Sequence, residues 1–122
     1  MKLTNNEIYT KAQELMTVFN DKEQKLPIKL NFYLQKNKNT LISLAQDIEQ
    51  ARISIIQTYG TPNEDGETYT IPEDKIAEAS NELKDLFELE QEVNIYTVNI
   101  DVLNEDLILT TAQMEALMFM ID

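Results

Sequence analysis

The sequence predicts an α+β fold: a helical hairpin with a long central helix, two further helices and a small antiparallel β-sheet. Three observations support this prediction. Apolar residues recur at spacings of three and four through residues 26–60, which is the period of a helix. The period changes to two in residues 92–103, which indicates a strand. Capping-box patterns that begin at Thr4 and Thr110 mark the starts of two other helices. The length suits a single domain over residues 1–122.

The long segment is bounded by Pro27, which suits a first helical turn, and by Gly60, which suits a helix end. Its apolar seam consists of Leu30, Leu34, Leu41, Leu44, Ile48, Ala51, Ile55 and Tyr59. Asn37 interrupts the seam. An unbroken helix would be about 50 Å long, whereas a domain of this size is about 26 Å across. One alternative is that the helix is continuous, so that its apolar seam needs cover along its whole length, which favours an oligomer. The other is that the helix breaks near Asn37. In that case Asn39 or Thr40 would cap a second helix.

The elements around the long helix follow from local signals. A first helix over about residues 5–19 has one apolar face, and the short polar connector that follows predicts an antiparallel hairpin with the long helix. Residues 61–67 are rich in turn-forming types and predict a loop, followed by a short β-favouring stretch at 68–71. Pro72 then opens a third helix that extends to about Leu89.

The C-terminal part of the chain predicts a β-hairpin and a last helix. The strand at residues 92–103 is followed by a turn at 104–106 and a returning strand at 107–109. The last helix extends to about Met120 and is apolar around more of its circumference than one-sided packing needs. It is either buried in the domain, which we prefer, or it contacts a second copy. The residues expected in such an oligomer contact are Leu117, Met118 and Met120.

The composition excludes several classes of function. The chain has no cysteine, no histidine and only two glycines, so it lacks thiol chemistry, histidine as a general base and a glycine-rich phosphate loop. An EF-hand loop placed on Asn63, Asp65 and Gly66 would need its bidentate carboxylate at Pro72, so we expect no metal site. We expect neither a cofactor nor enzymatic activity. No apolar run reaches the ~20 residues of a membrane span, so we expect a protein of the cytoplasm with no membrane partner.

The charge is concentrated in one half of the chain. The net charge is −12, with eight Lys/Arg and six Asp/Glu in residues 1–60 but two and sixteen in residues 61–122. Four carboxylates of the third helix recur at helical spacing: Asp74, Glu78, Glu82 and Asp85. They are either a solvated face or a docking surface for a basic protein. The acidic half argues against duplex DNA as a partner.

The basic residues are interleaved with aromatic ones near the start of the long helix. This stretch consists of Lys25, Lys29, Phe32, Tyr33, Lys36 and Lys38, preceded by Lys22 and followed by Arg52. Lysine can hold a phosphate while an aromatic ring stacks on a base, so the stretch predicts a phosphorylated small ligand such as a nucleotide, or a single strand. The alternative is that the lysines only cover the helix and its connector, with the rings in the core. Copies of a weak site can also converge in a homo-oligomer.

The layout resembles a family of phage proteins. The segments that carry the resemblance are LPIKLNFYLQKN, IEQARISIIQTYG, the acidic DG turn, LEQEVNIYTV and the C-terminal LTTAQMEALMFMI. Together they resemble small uncharacterised proteins of tailed phages and prophages of Gram-positive bacteria, the DUF1617-like proteins. The resemblance implies a phage origin and expression in a bacterial cytoplasm. It carries over no catalytic or binding residue.

Two functions are consistent with a small acidic phage protein that lacks enzyme motifs. The first is inhibition of a bacterial defence system, either by binding a basic surface of a host defence protein or by sequestering a nucleotide signal. The second is a role as a virion assembly factor or minor structural protein, with a phage tail or head protein as the partner. The charge asymmetry favours the first. In either role we expect a homo-oligomer.

Overall fold

The computed structural model describes residues 1–20, 25–103 and 107–122. Two antiparallel helices form its frame: α1 spans Asn5–Val18 and α2 spans Ile28–Tyr59. The α+β class, the helical hairpin and the long central helix are therefore confirmed. The core lies mainly between these two helices and the C-terminal segment, and its fully buried side chains include Ile8, Leu15, Leu30, Leu34, Leu41, Leu117 and Met120.

Helix α1 begins where its capping box predicts. The hydroxyl of Thr4 accepts a hydrogen bond from the backbone N–H of Glu7 at 3.1 Å, and the Glu7 carboxylate accepts one from the backbone N–H of Thr4 at 3.0 Å. These two bonds satisfy N–H groups that have no partner inside the helix. The apolar face of α1, which includes Ala12, is buried against α2.

Helix α2 is continuous over all 32 of its residues. Pro27 stands at its N-cap position and Gly60 at its C-cap position. Asn39 and Thr40 lie inside the helix and cap nothing, so the continuous helix is the one of the two alternatives that occurs. The reason is that the polar residue in the seam, Asn37, finds its partners on another segment of the chain.

The far end of α2 is covered by the chain itself. Helix α3, Ile76–Glu88, packs along α2. The hydroxyl of Tyr59, the last residue of α2, donates a hydrogen bond to the carboxylate of Glu82 at 2.9 Å. Because α3 supplies this cover, the length of α2 does not by itself demand a second copy.

The strands of the described residues form two short antiparallel pairs. Strand β1, Lys2–Thr4, pairs with β4, Glu90–Glu92, so the start of the chain is held beside the end of α3. Strand β2, Thr61–Pro62, pairs with β3, Tyr69–Thr70. The second pair agrees with the β-favouring stretch predicted at residues 68–71.

Polar side chains shape the turn between β2 and β3. The Asp65 carboxylate accepts hydrogen bonds from the backbone N–H groups of Thr68 and Glu67 at 3.0 and 2.9 Å, and these bonds lower the pKa of Asp65. Asn63 donates to the Thr68 hydroxyl at 2.8 Å, and Gly66 adopts a φ of +71°. The acidic loop residue Asp65 is therefore used to close the turn.

The strand predicted at residues 92–103 is wrong in most of its length. Only its first residue belongs to a strand, and residues 100–102 form a 3-10 turn. The segment between them is extended, and its one β-bridge in the described chain is a parallel one from Val98 to Ile121. The predicted returning strand at 107–109 has no strand structure, and the predicted turn at 104–106 lies outside the described residues.

The last two helical segments follow the predicted positions closely. A 3-10 turn over Glu73–Lys75 precedes α3, and α4, Thr111–Leu117, continues into a 3-10 turn over Met118–Met120. Thr110 caps α4 through a second capping box. The C-terminal helix is buried along one face, which is the alternative that the sequence analysis preferred: Leu117 and Met120 are both 0% exposed. This corrects the predicted oligomer contact for these two residues and leaves only Met118, which is 60% exposed.

Candidate functional site

Four of the predicted ligand-binding residues lie together on the first turns of α2. Lys29, Phe32, Tyr33 and Lys36 recur at spacings of three and four, so they share one side of the helix. Tyr96, from the extended segment after β4, joins them by packing on Tyr33. We call these five residues the basic-aromatic surface.

The three rings of the basic-aromatic surface are in contact through Tyr33. Tyr33 and Tyr96 are stacked, with centroids 5.3 Å apart and an interplanar angle of 27°. Phe32 also contacts Tyr33, with centroids 6.0 Å apart and an angle of 49°. Contacts of this kind stabilise aromatic pairs beyond the area that they bury. The three rings therefore form one connected cluster.

Two lysine ammonium groups lie over these rings. The Nζ atom of Lys36 is 5.2 Å from the Phe32 centroid and 5.7 Å from the Tyr96 centroid. The Nζ atom of Lys29 is 5.9 Å from the Tyr33 centroid. Among the residues that the structure describes, neither lysine pairs with a carboxylate. Both ammonium groups are thus held by cation-π contacts and are available to an anion.

The rings are only partly in the core. Phe32 is 54% exposed and Tyr96 is 39% exposed, whereas Tyr33 is half-buried and packs against the core. The alternative that placed the rings in the core therefore fails for Phe32. Two exposed rings that share one cation form a surface on which a planar group can stack.

Asn37 fixes the position of Tyr96. Its side-chain amide is 0% exposed; the Nδ2 atom donates to the carbonyl oxygen of Tyr96 and the Oδ1 atom accepts from the Tyr96 backbone N–H, both at 2.8 Å. The extended segment is thereby fastened to α2 by a side chain. The Tyr96 ring rests on Tyr33 as a consequence.

A polar hollow of about 280 Å³ adjoins the ring of Tyr96. Its lining consists of Lys36, Asn39, Thr40, Asn94 and Tyr96. The two side-chain amides and the hydroxyl groups can both donate and accept hydrogen bonds. The hollow can therefore recognise the polar edge of a ring that stacks on Tyr96.

Three other residues predicted for the ligand site do not join it. The Nζ atom of Lys38 donates to the backbone carbonyl of Phe19 at 3.4 Å, so this lysine faces α1. Lys25 is exposed before the start of α2 and makes no described contact with the surface. Arg52 lies about 24 Å farther along the helix than Lys36, at 1.5 Å per residue. Lys22 lies outside the described residues.

Arg52 belongs instead to a cluster between α1 and α2. Its Nε atom donates to the Glu49 carboxylate at 3.0 Å, and the hydroxyl of Tyr9 donates to the same carboxylate at 3.1 Å. The hydrogen bond from Arg52 lowers the pKa of Glu49, and the bond to Glu49 raises the pKa of Tyr9. This cluster ties the two helices of the hairpin together.

The four predicted carboxylates of the acidic face are all exposed. Asp74 lies in the 3-10 turn before α3, and the others, Glu78, Glu82 and Asp85, lie on α3 itself. Only Glu82 has a hydrogen-bond partner among the described residues, the hydroxyl of Tyr59, and this bond raises the pKa of Tyr59. Across the described chain, no three carboxylates converge closely enough to hold a metal ion.

The sequence prediction missed Tyr96, Asn37 and Asn94. Its strand included Tyr96 and Asn94, and its possible helix break included Asn37. One signal pointed to Asn37: it is the only polar residue in an otherwise apolar seam, and a buried amide needs a partner.

No protein-family model, no curated protein and no solved structure matches the chain. Within the described residues, no helix is both long and apolar enough to cross a membrane.

Proposed function

We propose that this chain is a non-enzymatic binding protein that holds a nucleotide on its basic-aromatic surface. The observation that carries the proposal is the place of the Lys36 ammonium, which lies over the exposed rings of Phe32 and Tyr96 beside a polar hollow. A base that stacks on a ring would displace this ammonium toward the phosphate of the same ligand. The lysine would then exchange a cation-π contact for an ion pair.

The surface combines the two elements that nucleotide binding without a glycine-rich loop requires. Aromatic rings supply stacking, which contributes about 1–3 kcal/mol per base. Lys29 and Lys36 supply the positive charge for a phosphate, and the hydroxyl and amide groups of the hollow supply hydrogen bonds. Four of the five residues of the surface belong to the half of the chain with a net charge of +2; the fifth, Tyr96, comes from the acidic half.

We further propose that the protein is phage-encoded and inhibits a bacterial defence system by sequestering a nucleotide signal in the host cytoplasm. The resemblance to small proteins of Gram-positive phages supports the origin. Sequestration needs affinity and no catalytic group, which agrees with a surface built only from lysines, rings and amides. A homo-oligomer would serve this role because a second copy can close a site that is shallow in one chain.

Calorimetric titration of the protein with AMP and ATP at low salt tests the ligand site. We expect the double variant Lys29→Glu with Lys36→Glu to lose at least about tenfold in affinity, because two attractive charges become repulsive. The matched control is Lys2→Glu with Lys84→Glu, which changes the charge equally at two exposed lysines outside the surface. Unchanged affinity in the first variant, or no affinity of the wild-type protein for either nucleotide, would overturn the proposal.

The acidic face of α3 favours a second candidate function, the binding of a basic protein surface. Glu78 and Asp85 are exposed and have no described partner, and their charge would attract a cationic patch. The partner would be a host defence protein or, for a virion assembly factor, a phage tail or head protein. Affinity capture of the tagged chain from infected cells separates the two, and the triple variant Glu78→Lys, Glu82→Lys, Asp85→Lys should release the captured protein.

A further inference from the structure

Lys36 is the only described lysine that lies over two rings at once. Its Nζ atom is 5.2 Å from the Phe32 centroid and 5.7 Å from the Tyr96 centroid. Tyr33 packs beside both rings and is itself half-buried, so the two outer rings are the exposed ones. The surface thus presents two exposed rings with one cation over both of them.

We infer that the ligand carries two bases joined by a phosphodiester, an inference that rests on the proposed nucleotide-binding function. One base stacks on Tyr96 and the other on Phe32, and the linking phosphate binds Lys36. A mononucleotide would use only one of the two rings. In a dinucleotide the phosphate lies between the two nucleosides, where one lysine that has been displaced from both rings can bind it.

The two stacking positions differ in their surroundings. The Tyr96 position opens onto the polar hollow, where Asn39 and Asn94 can bond to the edge of a base. Phe32 does not line that hollow, and its ring offers only stacking and the nearby cation. Hydrogen bonds therefore select the base on Tyr96. The base on Phe32 is bound by stacking alone, which any base can provide.

Calorimetric titration with the linear dinucleotide ApA and with AMP tests the inference. We expect ApA to bind about 5- to 150-fold more tightly, the affinity that one additional stacked base supplies. Charge cannot produce this difference, because ApA carries one phosphodiester charge and AMP carries more. The Phe32→Ala variant should lose this difference and bind ApA only as tightly as it binds AMP.

Ile28→Ala is the matched control, because Ile28 lies one turn before Phe32 and is 88% exposed. It should leave both affinities unchanged, and far-ultraviolet circular dichroism should show the same helix content in both variants. Equal wild-type affinities for AMP and ApA, with no effect of Phe32→Ala, would overturn the two-base ligand and leave the proposed function standing. Absence of binding by both nucleotides would overturn the proposed function as well.

Two further probes identify the source of a two-base ligand. Cyclic diadenylate represents a free signalling dinucleotide, and a ten-residue oligoadenylate represents a single strand. Tighter binding of the cyclic molecule than of the oligomer assigns the surface to a free dinucleotide, and the reverse assigns it to a strand. Both results support the inference, provided that Phe32→Ala weakens the tighter of the two.

Discussion

Asn37 and Tyr96 are joined by two hydrogen bonds between the side-chain amide of the first and the backbone of the second, each 2.8 Å long. This is the pair of bonds that a neighbouring strand would offer, supplied here by one side chain from the first third of α2. Asn37 is 0% exposed, and its polar atoms are satisfied by these bonds and by a contact from Nδ2 to the Met120 sulfur at 3.6 Å. The bonds therefore connect the core directly to the basic-aromatic surface.

The Asn37→Leu variant should destabilise the protein although it conserves side-chain volume. The change leaves the N–H and the C=O of Tyr96 without their partner, and an unsatisfied backbone group costs about 1–3 kcal/mol. We expect a loss of stability of that size in urea unfolding monitored by circular dichroism. The same variant should weaken nucleotide binding, because Tyr96 loses the bonds that hold it.

Asn39→Leu is the control for this prediction, since Asn39 is exposed and lies two residues farther along the same helix. Its effect on the free energy of unfolding should stay within about 0.5 kcal/mol. If both variants unfold at the same urea concentration, Asn37 does not have the structural role that its hydrogen bonds indicate.

The C-terminal helix provides a second prediction, because two neighbouring residues have opposite environments. Leu117 is 0% exposed and Met118 is 60% exposed. Leu117→Ala should cost about 2–5 kcal/mol, the range for a truncated leucine in a packed core. Met118→Ala should change the free energy of unfolding by less than about 0.5 kcal/mol. Light scattering after gel filtration on both variants shows whether either change also affects the oligomeric state.

An oligomer contact at Leu117 predicts a different pattern. In that case Leu117→Ala would shift the protein toward smaller species, and the free energy of unfolding of the single chain would not change. A loss of unfolding free energy at unchanged molecular mass would instead locate Leu117 in the core of a single chain, as the structure does.

The helices could be predicted from the sequence because their signals are local. The capping box at Thr4 and Glu7 lies within one turn, and Gly60 adjoins the turn that it ends. The grouping of Lys29 with Lys36 in the basic-aromatic surface was predictable for the same reason, since they lie two turns apart on one helix. Grouping Arg52 with them was wrong, because its partner is Glu49, three residues before it on the same helix.

The extended segment could not be predicted because its partners are distant in sequence. Val93 and Val98 are buried, so the apolar pattern correctly indicated burial. The predicted hairpin pairing with residues 107–109 does not form. The hydrogen bonds go instead to Met1, to Asn37 and to the C-terminal residues. The Val93 N–H donates to the Met1 carbonyl at 2.7 Å, and the Val98 N–H donates to the Met120 carbonyl at 2.9 Å. A local period does not specify which segment lies opposite.

The end of α2 supplies a third prediction. A Cβ atom at Gly60 would lie 2.6 Å from the carbonyl oxygen of Ile56 and 2.9 Å from the Cβ atom of Tyr69. Both neighbours are fixed, because the first is helix backbone and the second belongs to β3. We expect Gly60→Ala to lower the free energy of unfolding by about 1–3 kcal/mol, the usual cost of overpacking, as measured by thermal or urea unfolding.

Gly66→Asn is the matched control for Gly60→Ala. Gly66 has a φ of +71°, and no atom lies within 4 Å of the position that a Cβ atom would take, so space is not limiting there. Asparagine adopts this backbone region more readily than other residues, and the variant should lose less than about 1 kcal/mol. Equal losses at the two glycines would show that steric contact with Ile56 is not the cause.

The last prediction concerns acid stability and rests on Glu49, whose carboxylate accepts hydrogen bonds from Arg52 and Tyr9. The bond from Arg52 holds the pKa of Glu49 below its ordinary value of 4.5 in the folded chain. The unfolded chain therefore takes up the proton first as the pH falls. The stability that Glu49 contributes is complete above about pH 4.5 and is lost as the pH falls through the lowered pKa.

Glu49→Gln removes this titration while it keeps a similar side chain. We expect the variant to be less stable than the wild-type protein at pH 7. Between about pH 5 and pH 3 the variant should lose less stability than the wild-type protein loses. Urea unfolding at several pH values measures both effects. Glu115→Gln, at an exposed glutamate of α4 with no described ion pair, is the control and should follow the wild-type curve. Parallel curves for Glu49→Gln and the wild-type protein would contradict the linkage to Arg52.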